Sequence, residues 1–290
     1  MRPSNRAVSA AIFVGPAVLF LGAVMVYPVL FSLWTSLHSY NLAEIYLGEP
    51  FVGLNNYIQA LSDPYFYHGL LISIIITVSC LLIELPIGFL LAMGINRRVR
   101  GAGFFRLLFT LPVLLTPVAV GLTWRFMFQY TGIWNYLLSL INLGPVDWSG
   151  TVPGLLQVII VVSWENTAFA FIVFLAGLQT IPADILDAAQ TDGASGVQLL
   201  RKITLPMMRP FIFLVLLIRM MDLLRLFDEN YILTGGGPAR STETLSMLAY
   251  TNMFTFGEFG YGSAISLLQL AIILGFMIIY QRVFGWRAVE

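Results

Sequence analysis

Chemistry in this sequence must come from a few ionisable side chains set in apolar surroundings. Glu84 stands just before Pro86, Trp164-Glu165-Asn166 interrupts a second apolar stretch, and Arg219, Asp222, Arg225, Asp228 and Glu229 punctuate a third. A charge at membrane depth costs several kcal/mol unless paired or wetted, so such residues are functional candidates by default. On one continuous helix the five residues from Arg219 to Glu229 fall within one half of the circumference at i, i+3 or i+4 spacing, with the two arginines alternating with the acids. Two readings follow. A hydrated stripe would let Glu165, Asn166, Arg219, Asp222 and Glu84 hydrogen-bond a polar solute while Trp164 or Phe169 stacks on its ring face, with Arg225, Asp228 and Glu229 nearer an outer gate. Alternatively, the charges form a self-neutralising ladder that fixes packing. Catalytic and metal chemistry find no support: the chain has two histidines, His38 and His68, and one cysteine, Cys80, too few for a zinc site or an intrachain disulfide.

The elements that hold these residues follow from composition. Of 290 residues, 58% are hydrophobic and 10% charged, where a soluble domain carries roughly a quarter of its residues as charge. Lysine plus arginine equals aspartate plus glutamate at fifteen each, so there is no basic field for nucleic acid. Lipid is the expected solvent. Apolar runs long enough to cross a bilayer cover about 10–34, 70–95, 107–128, 153–178, 211–233 and 264–284. The expectation is an all-α membrane protein of six spanning helices, forming one membrane domain over 1–290. The basic N-terminus ahead of the first run has the charge order of a signal peptide, but the run is too long for one and reads as a retained span.

Basic residues cluster in alternate loops: Arg2 and Arg6; Arg97, Arg98, Arg100 and Arg106; Arg201, Lys202 and Arg209; Arg282 and Arg287. The opposite loops hold only Arg240. The positive-inside rule then puts both termini and the 179–209 loop in the cytoplasm. That loop predicts a helix after Pro182, a turn at Gly193 and a second helix from Ser195 to Thr204 that stops before Leu205-Pro206. Lys202 is the only lysine and Ile203 follows it, so no phosphate-binding lysine stands beside Ser or Thr. ATP coupling, if any, must come from a partner. Gly235-Gly236-Gly237-Pro238 likewise lacks the following Lys-Ser/Thr and reads as a flexible outer turn.

Asp187-Ala188-Ala189, then Gly193, then Ile203-Thr204-Leu205-Pro206 resembles the coupling loop of ABC importer permeases, whose pattern is Glu-Ala-Ala, a glycine three residues on, and Ile-x-Leu-Pro about nine residues later. Asp187 is a shorter acid than the usual glutamate. The stretches Phe51-Val52-Gly53-Leu54-Asn55-Asn56-Tyr57, Asp63-Pro64 and Phe227 to Pro238, with Thr244-Leu245, Tyr250 and Gly260-Tyr261, are similar to permeases of the maltose type. The resemblance implies a subunit of a carbohydrate importer in a bacterial or archaeal cytoplasmic membrane. It would work with a second, homologous permease, two copies of an ABC ATPase that bind ATP and magnesium, and an extracytoplasmic solute-binding protein. No cofactor is expected in this chain. It further implies ATPase coupling through Asp187, Ala188, Ala189, Asp192, Gly193, Ala194, Ile203, Leu205 and Pro206. Asp228, Glu229, Tyr231, Gly236, Gly237 and Pro238 would then lie toward the outer gate or the binding protein. The competing expectation is a proton-coupled secondary transporter in which Glu84, Glu165 or Asp222 titrates.

Overall fold

In lipid every backbone amide and carbonyl must find its partner within the protein, which favours helices wherever the apolar runs lie. The computed structural model describes residues 3–96 and 101–285, with side chains from residue 12 onward save 45, 47, 284 and 285. Arg2, Arg97, Arg98, Arg100 and Arg287, which carry part of the charge asymmetry, lie outside the described residues, as does the side chain of Arg6. The described chain is helical and contains no strand, only isolated bridges between His38 and Phe51 and between Asn41 and Glu258. In order, α1 (Pro3–Leu21) continues through a π turn into α2 (Tyr27–Ser36), and α3 (Asn55–Ser62) precedes α4 (Pro64–Asn96). Next come α5 (Ala102–Thr110), a 3₁₀ turn (Leu111–Leu114), α6 (Pro117–Met127), α7 (Ile133–Leu140) and α8 (Thr151–Gln179). The remainder is α9 (Ala183–Thr191), α10 (Gly196–Leu199), α11 (Leu205–Met207), α12 (Arg209–Leu224), α13 (Asp228–Leu233), α14 (Leu245–Tyr250) and α15 (Phe259–Tyr280).

Among the described residues four helical stretches are long and apolar enough to cross a membrane: Ile12–Ser36, Pro64–Asn96, Thr151–Gln179 and Phe259–Val283. The count reaches six if each of two bent pairs is one span. The sequence reading needs two corrections here. The expected span over 107–128 is broken: Leu115 and Thr116 are extended, and the helices on either side meet at 97°. Thr116 precedes Pro117, and a residue before proline is pushed out of the α region. The expected span over 211–233 ends at Leu224 and restarts at Asp228. Thr244 Oγ1 donates to the freed Leu226 carbonyl at 3.0 Å, while Asp228 and Glu229 sit in the first turn of α13, where the helix dipole favours acids.

The chain packs as two units. In the first, Met1–Tyr67 with Leu248–Leu270, buried polar groups tie distant segments: Thr35 Oγ1 donates to Ser263 Oγ at 2.9 Å, Asn56 Nδ2 to the Ser36 and His38 carbonyls, and Tyr261 Oη to Asp63 Oδ2 at 2.7 Å.

The second unit, His68–Met247 with Ala271–Glu290, holds the residues singled out for chemistry. Its central helix is α8, mostly apolar on every side apart from a few polar residues about Glu165, and buried over much of its length, as a helix enclosed by others must be. One face of α8 packs Val158, Val161 and Val162 against Ile76, Trp124 and Leu223; further along, Phe171 and Phe174 pack with Ala92 and Val215. The approach of α4 to α8 is set by Gly88: a Cβ there would stand 2.8 Å from the Ala170 Cβ and 3.0 Å from the Phe171 amide. Small residues at such crossings let helix backbones meet in lipid. Three hydroxyls inside the helices, those of Ser73, Thr77 and Thr167, each donate to the carbonyl four residues back. Between α6 and α8, Asn135 acts as a hub. Its Nδ2 donates to the Tyr130 and Val146 carbonyls, and its Oδ1 accepts from the Val146 amide and Trp148 Nε1.

Candidate functional site

The deepest charge in the second unit is an ion pair between helices that are far apart in sequence. Arg219 on α12 donates from Nε to Glu84 Oε2 at 2.8 Å and from its NH2 nitrogen to Glu84 Oε1 at 3.1 Å. The side chains are 5% and 0% exposed, so this fork-to-fork contact is sealed from solvent. One turn on, Asp222 stands 3.6 Å from the third guanidinium nitrogen of Arg219 and accepts from Arg225 at 2.7 Å. The alternating ladder read from the sequence therefore forms only as far as Arg225. Beyond it the helix breaks, and Asp228 and Glu229 belong to another helix.

That break opens a cavity of about 580 Å³. Its wall comes from the α5–α6 corner (Val113, Leu115, Pro117), from α8 (Val162, Glu165, Asn166) and from α12 to α13 (Arg219, Asp222 and Arg225 to Glu229). Glu165 is 5% exposed, and Glu229 stands beside it, close enough for the two carboxyl groups to share a hydrogen bond. Asn166 Nδ2 donates to the Val162 carbonyl within its own helix. Glu84, by contrast, does not line the cavity: it holds Arg219 from behind. A second hollow of about 790 Å³ lies on the other side of α8, lined by Ile83, Ile87, Leu91, Phe109, Leu115 and Trp164 among others. Although larger, its wall carries no ionisable group, so the chemistry sits in the smaller cavity. Trp164 faces this apolar hollow and meets Trp124 edge-on at 5.3 Å.

The 179–209 segment forms two short helices joined at Gly193. Asp187, Ala188 and Ala189 lie on α9, Asp192 caps it, and Gly193 turns the chain at φ +83°, a conformation that costs any residue with a Cβ. Ser195 opens α10 with a capping box, its Oγ accepting from the Gln198 amide and Gln198 Oε1 from the Ser195 amide. The expectation that this second helix stops at Thr204 is corrected: it continues through Leu205 and Pro206 to Met207. A π turn over Leu200–Thr204 makes this possible, since the Leu205 amide bonds the Leu200 carbonyl five residues back and the wider turn accommodates the proline. Asp187, Ala188, Asp192 and Gly193 are exposed, while Ala194, Ile203, Leu205 and Pro206 are half-buried.

Of the residues read as outer gate, Tyr231 stacks on Phe227 at 5.2 Å. The turn from Gly235 to Pro238, expected to be flexible, is instead pinned by hydrogen bonds. The Gly236 amide donates to Thr234 Oγ1, Thr242 Oγ1 to the Gly237 carbonyl, and Asn230 Nδ2 to the Thr242 carbonyl at 2.6 Å.

Residues 84–285 match the family described as the binding-protein-dependent transport system inner membrane component. The chain belongs to that family. This inner membrane component is 36% identical over 265 residues to the trehalose/maltose transport system permease protein MalF of Thermococcus litoralis, covering 91% of this chain and 89% of that one. It is also 36% identical over 279 residues to the trehalose transport system permease protein SugA of Mycobacterium tuberculosis, covering 96% and 89%. Its fold is that of a chain in the crystal structure of a bacterial ABC transporter involved in the import of the acidic polysaccharide alginate. The TM-score is 0.83 at 19% identity, covering 97% of this chain and 96% of that one.

Several residues that shape the cavity of this inner membrane component escaped the sequence reading. Val113, Leu115 and Pro117 line it only because the helix breaks between Leu114 and Pro117. Pro112 and Pro117 were the signal for that break. Phe227 and Leu226 line it because α12 ends early, for which the local sequence carries no proline or glycine signal.

Proposed function

We propose that this chain is the transmembrane permease subunit of an ATP-driven ABC importer, forming half of the translocation pathway for a carbohydrate handed over by an extracytoplasmic binding protein. The observation that carries the proposal is similarity over nine-tenths of the chain to permeases named for trehalose and maltose. The whole chain serves as one permease domain, with both termini in the cytoplasm. The helix pair 183–207 is the cytoplasmic coupling element: its exposed Asp187, Ala188 and Gly193 meet an ABC ATPase that holds the ATP and magnesium. A second homologous permease completes the pathway, and this chain itself carries no cofactor and no catalytic site. Glu165, Asn166, Asp222 and Arg219 border the solute's route, Glu84 positions Arg219, and the pinned turn around Gly236, Gly237 and Pro238 faces the binding protein beside Asp228, Glu229 and Tyr231.

The test is mild-detergent purification of the tagged chain from its native membrane, with identification of its companions and an ATPase assay. The expected result is recovery of a second permease and an ABC ATPase, lost on Gly193→Val and weakened on Asp187→Ala. A chain that purifies alone and transports in proteoliposomes on a proton gradient would replace this reading with the secondary transporter.

A further inference from the structure

Helices α6, α8 and α13, which meet at the charged cavity, enclose a second polar hollow nearer the start of α8. Its volume is about 410 Å³, inside the ~300–1,000 Å³ range of pockets that hold small ligands. Gln157 in its wall stands eight residues before Glu165 on α8, about 12 Å along the helix axis. Apolar side chains separate the two spaces: Phe128 and Leu233 in the wall of this hollow, and Val162, Leu223 and Leu226 in the wall of the charged cavity, belong to one buried cluster. The wall is arranged in advance of any ligand. Trp148 is held at its ring, where Nε1 donates to Asn135 Oδ1 at 3.1 Å, and at its backbone, where the carbonyl accepts from Nε2 of the 5% exposed Gln157; its ring packs on Phe128 at 4.6 Å. Arg125 donates from one terminal nitrogen to the Ile232 carbonyl at 3.1 Å, and among the described residues it has no carboxylate partner. Gln129 adds an exposed amide, and no acid lines the hollow.

A fixed indole beside a guanidinium and an amide is the chemistry that recognises a sugar ring, whose apolar face lies on the aromatic while its hydroxyls bond the polar groups at the edge. We infer that this hollow is a second carbohydrate subsite, separate from the charged cavity, in which a sugar ring is held on the outer side of the apolar plug. This rests on the importer reading, which supplies the outer side, and deepens it. Trp148 provides the platform and Arg125 and Gln129 the hydrogen bonds. Asn135 and Gln157 act as positioning residues, since each holds Trp148 in place. Phe128 and Leu233 are floor to this subsite and part of the plug at once, so a ring can be bound here while the way to the charged cavity is closed.

Disulfide exchange reads a weak sugar site without knowledge of the natural solute. In the purified assembly Ser149→Cys, in the wall of the hollow, and separately Thr131→Cys, exposed and outside it, are equilibrated with equal amounts of thioglucose and mercaptoethanol, the buried Cys80 serving as the background. The ratio of thioglucose to mercaptoethanol adduct should be about tenfold higher at residue 149 than at residue 131, a difference of ~1.4 kcal/mol. Trp148→Ala, and independently the exposed Arg125→Gln, should bring the ratio at 149 down toward that at 131. Asn166→Ala, in the cavity behind the plug, should leave it unchanged. Equal ratios at the two cysteines overturn the inference, as does the absence of any adduct at residue 149. So does a preference that survives both wall substitutions, or one that Asn166→Ala abolishes. The importer reading is judged separately, by what co-purifies, since the exchange also runs on a chain isolated alone.

Discussion

Removing the carboxylate of Glu84 should be among the most damaging single changes this protein can suffer, and the damage should be largely reversible by a second change at Arg219. The pair is bidentate, at 2.8 and 3.1 Å, between side chains 0% and 5% exposed. Breaking a buried pair from one side strands the other charge and costs about 3–5 kcal/mol. Asp222, 3.6 Å away and shared with Arg225, offsets only part of that. Glu84→Leu and Arg219→Met should therefore each lower the midpoint of thermal unfolding by on the order of 10 °C, taking roughly 2–4 °C per kcal/mol. The double variant replaces both charges with apolar groups of similar bulk and should recover most of the loss, giving a coupling energy of about 3 kcal/mol or more. The assay is thermal denaturation of the detergent-solubilised protein, read as loss of monodisperse elution. The neighbouring pair of Arg225 and Asp222, 71% and 36% exposed, provides the comparison: breaking it should cost about 1 kcal/mol or less. Single variants at residue 84 or 219 that behave like the exposed pair would refute the argument, as would a double variant whose loss equals the sum of the singles.

Two further outcomes follow from the packing of the second unit. Gly88→Val puts a Cβ and two methyls where the Ala170 Cβ is already 2.8 Å from the first of those atoms, so α4 and α8 must part; a loss of about 1–3 kcal/mol should appear in the same thermal assay, with Gly94→Ala, whose Cβ would meet nothing within 4 Å, close to wild type. Asn135→Ala removes the hub that joins Tyr130, Val146 and Trp148; at about 1 kcal/mol for each hydrogen bond lost, the 130–148 loop should become markedly more sensitive to limited proteolysis while the α4–α8 contact stays protected.

Most of the helical content was legible in the sequence because it follows from composition. A long, predominantly apolar run such as 153–178 has no low-energy alternative in lipid to a helix, and α8 is that helix. Two of the places where the reading failed are local effects of proline that competed with hydropathy. Pro117 forces its predecessor out of the α region and breaks an apolar run that hydropathy alone joins. Pro206 was expected to end a helix, yet a π turn ahead of it lets the helix pass. The same residue type broke one helix at Pro117 and was absorbed by others, with a π turn before Pro206 and within continuous helix at Pro86, a distinction that a propensity argument does not draw.

The site was legible in its parts but not in its pairing. Spacing places Asp222 one turn from Arg219 and makes it the obvious partner, but the shorter contact is with Glu84, 135 positions away. Only tertiary structure carries that information, and it changes the meaning of every other charge nearby. Glu84 takes two nitrogens of Arg219 from behind the cavity, and Asp222 faces both the third nitrogen and Arg225. A sequence whose formal charges sum to zero lines this cavity with four acids, Glu165, Asp222, Asp228 and Glu229, against two arginines, and Glu84, outside the wall, fixes how one of those arginines is turned.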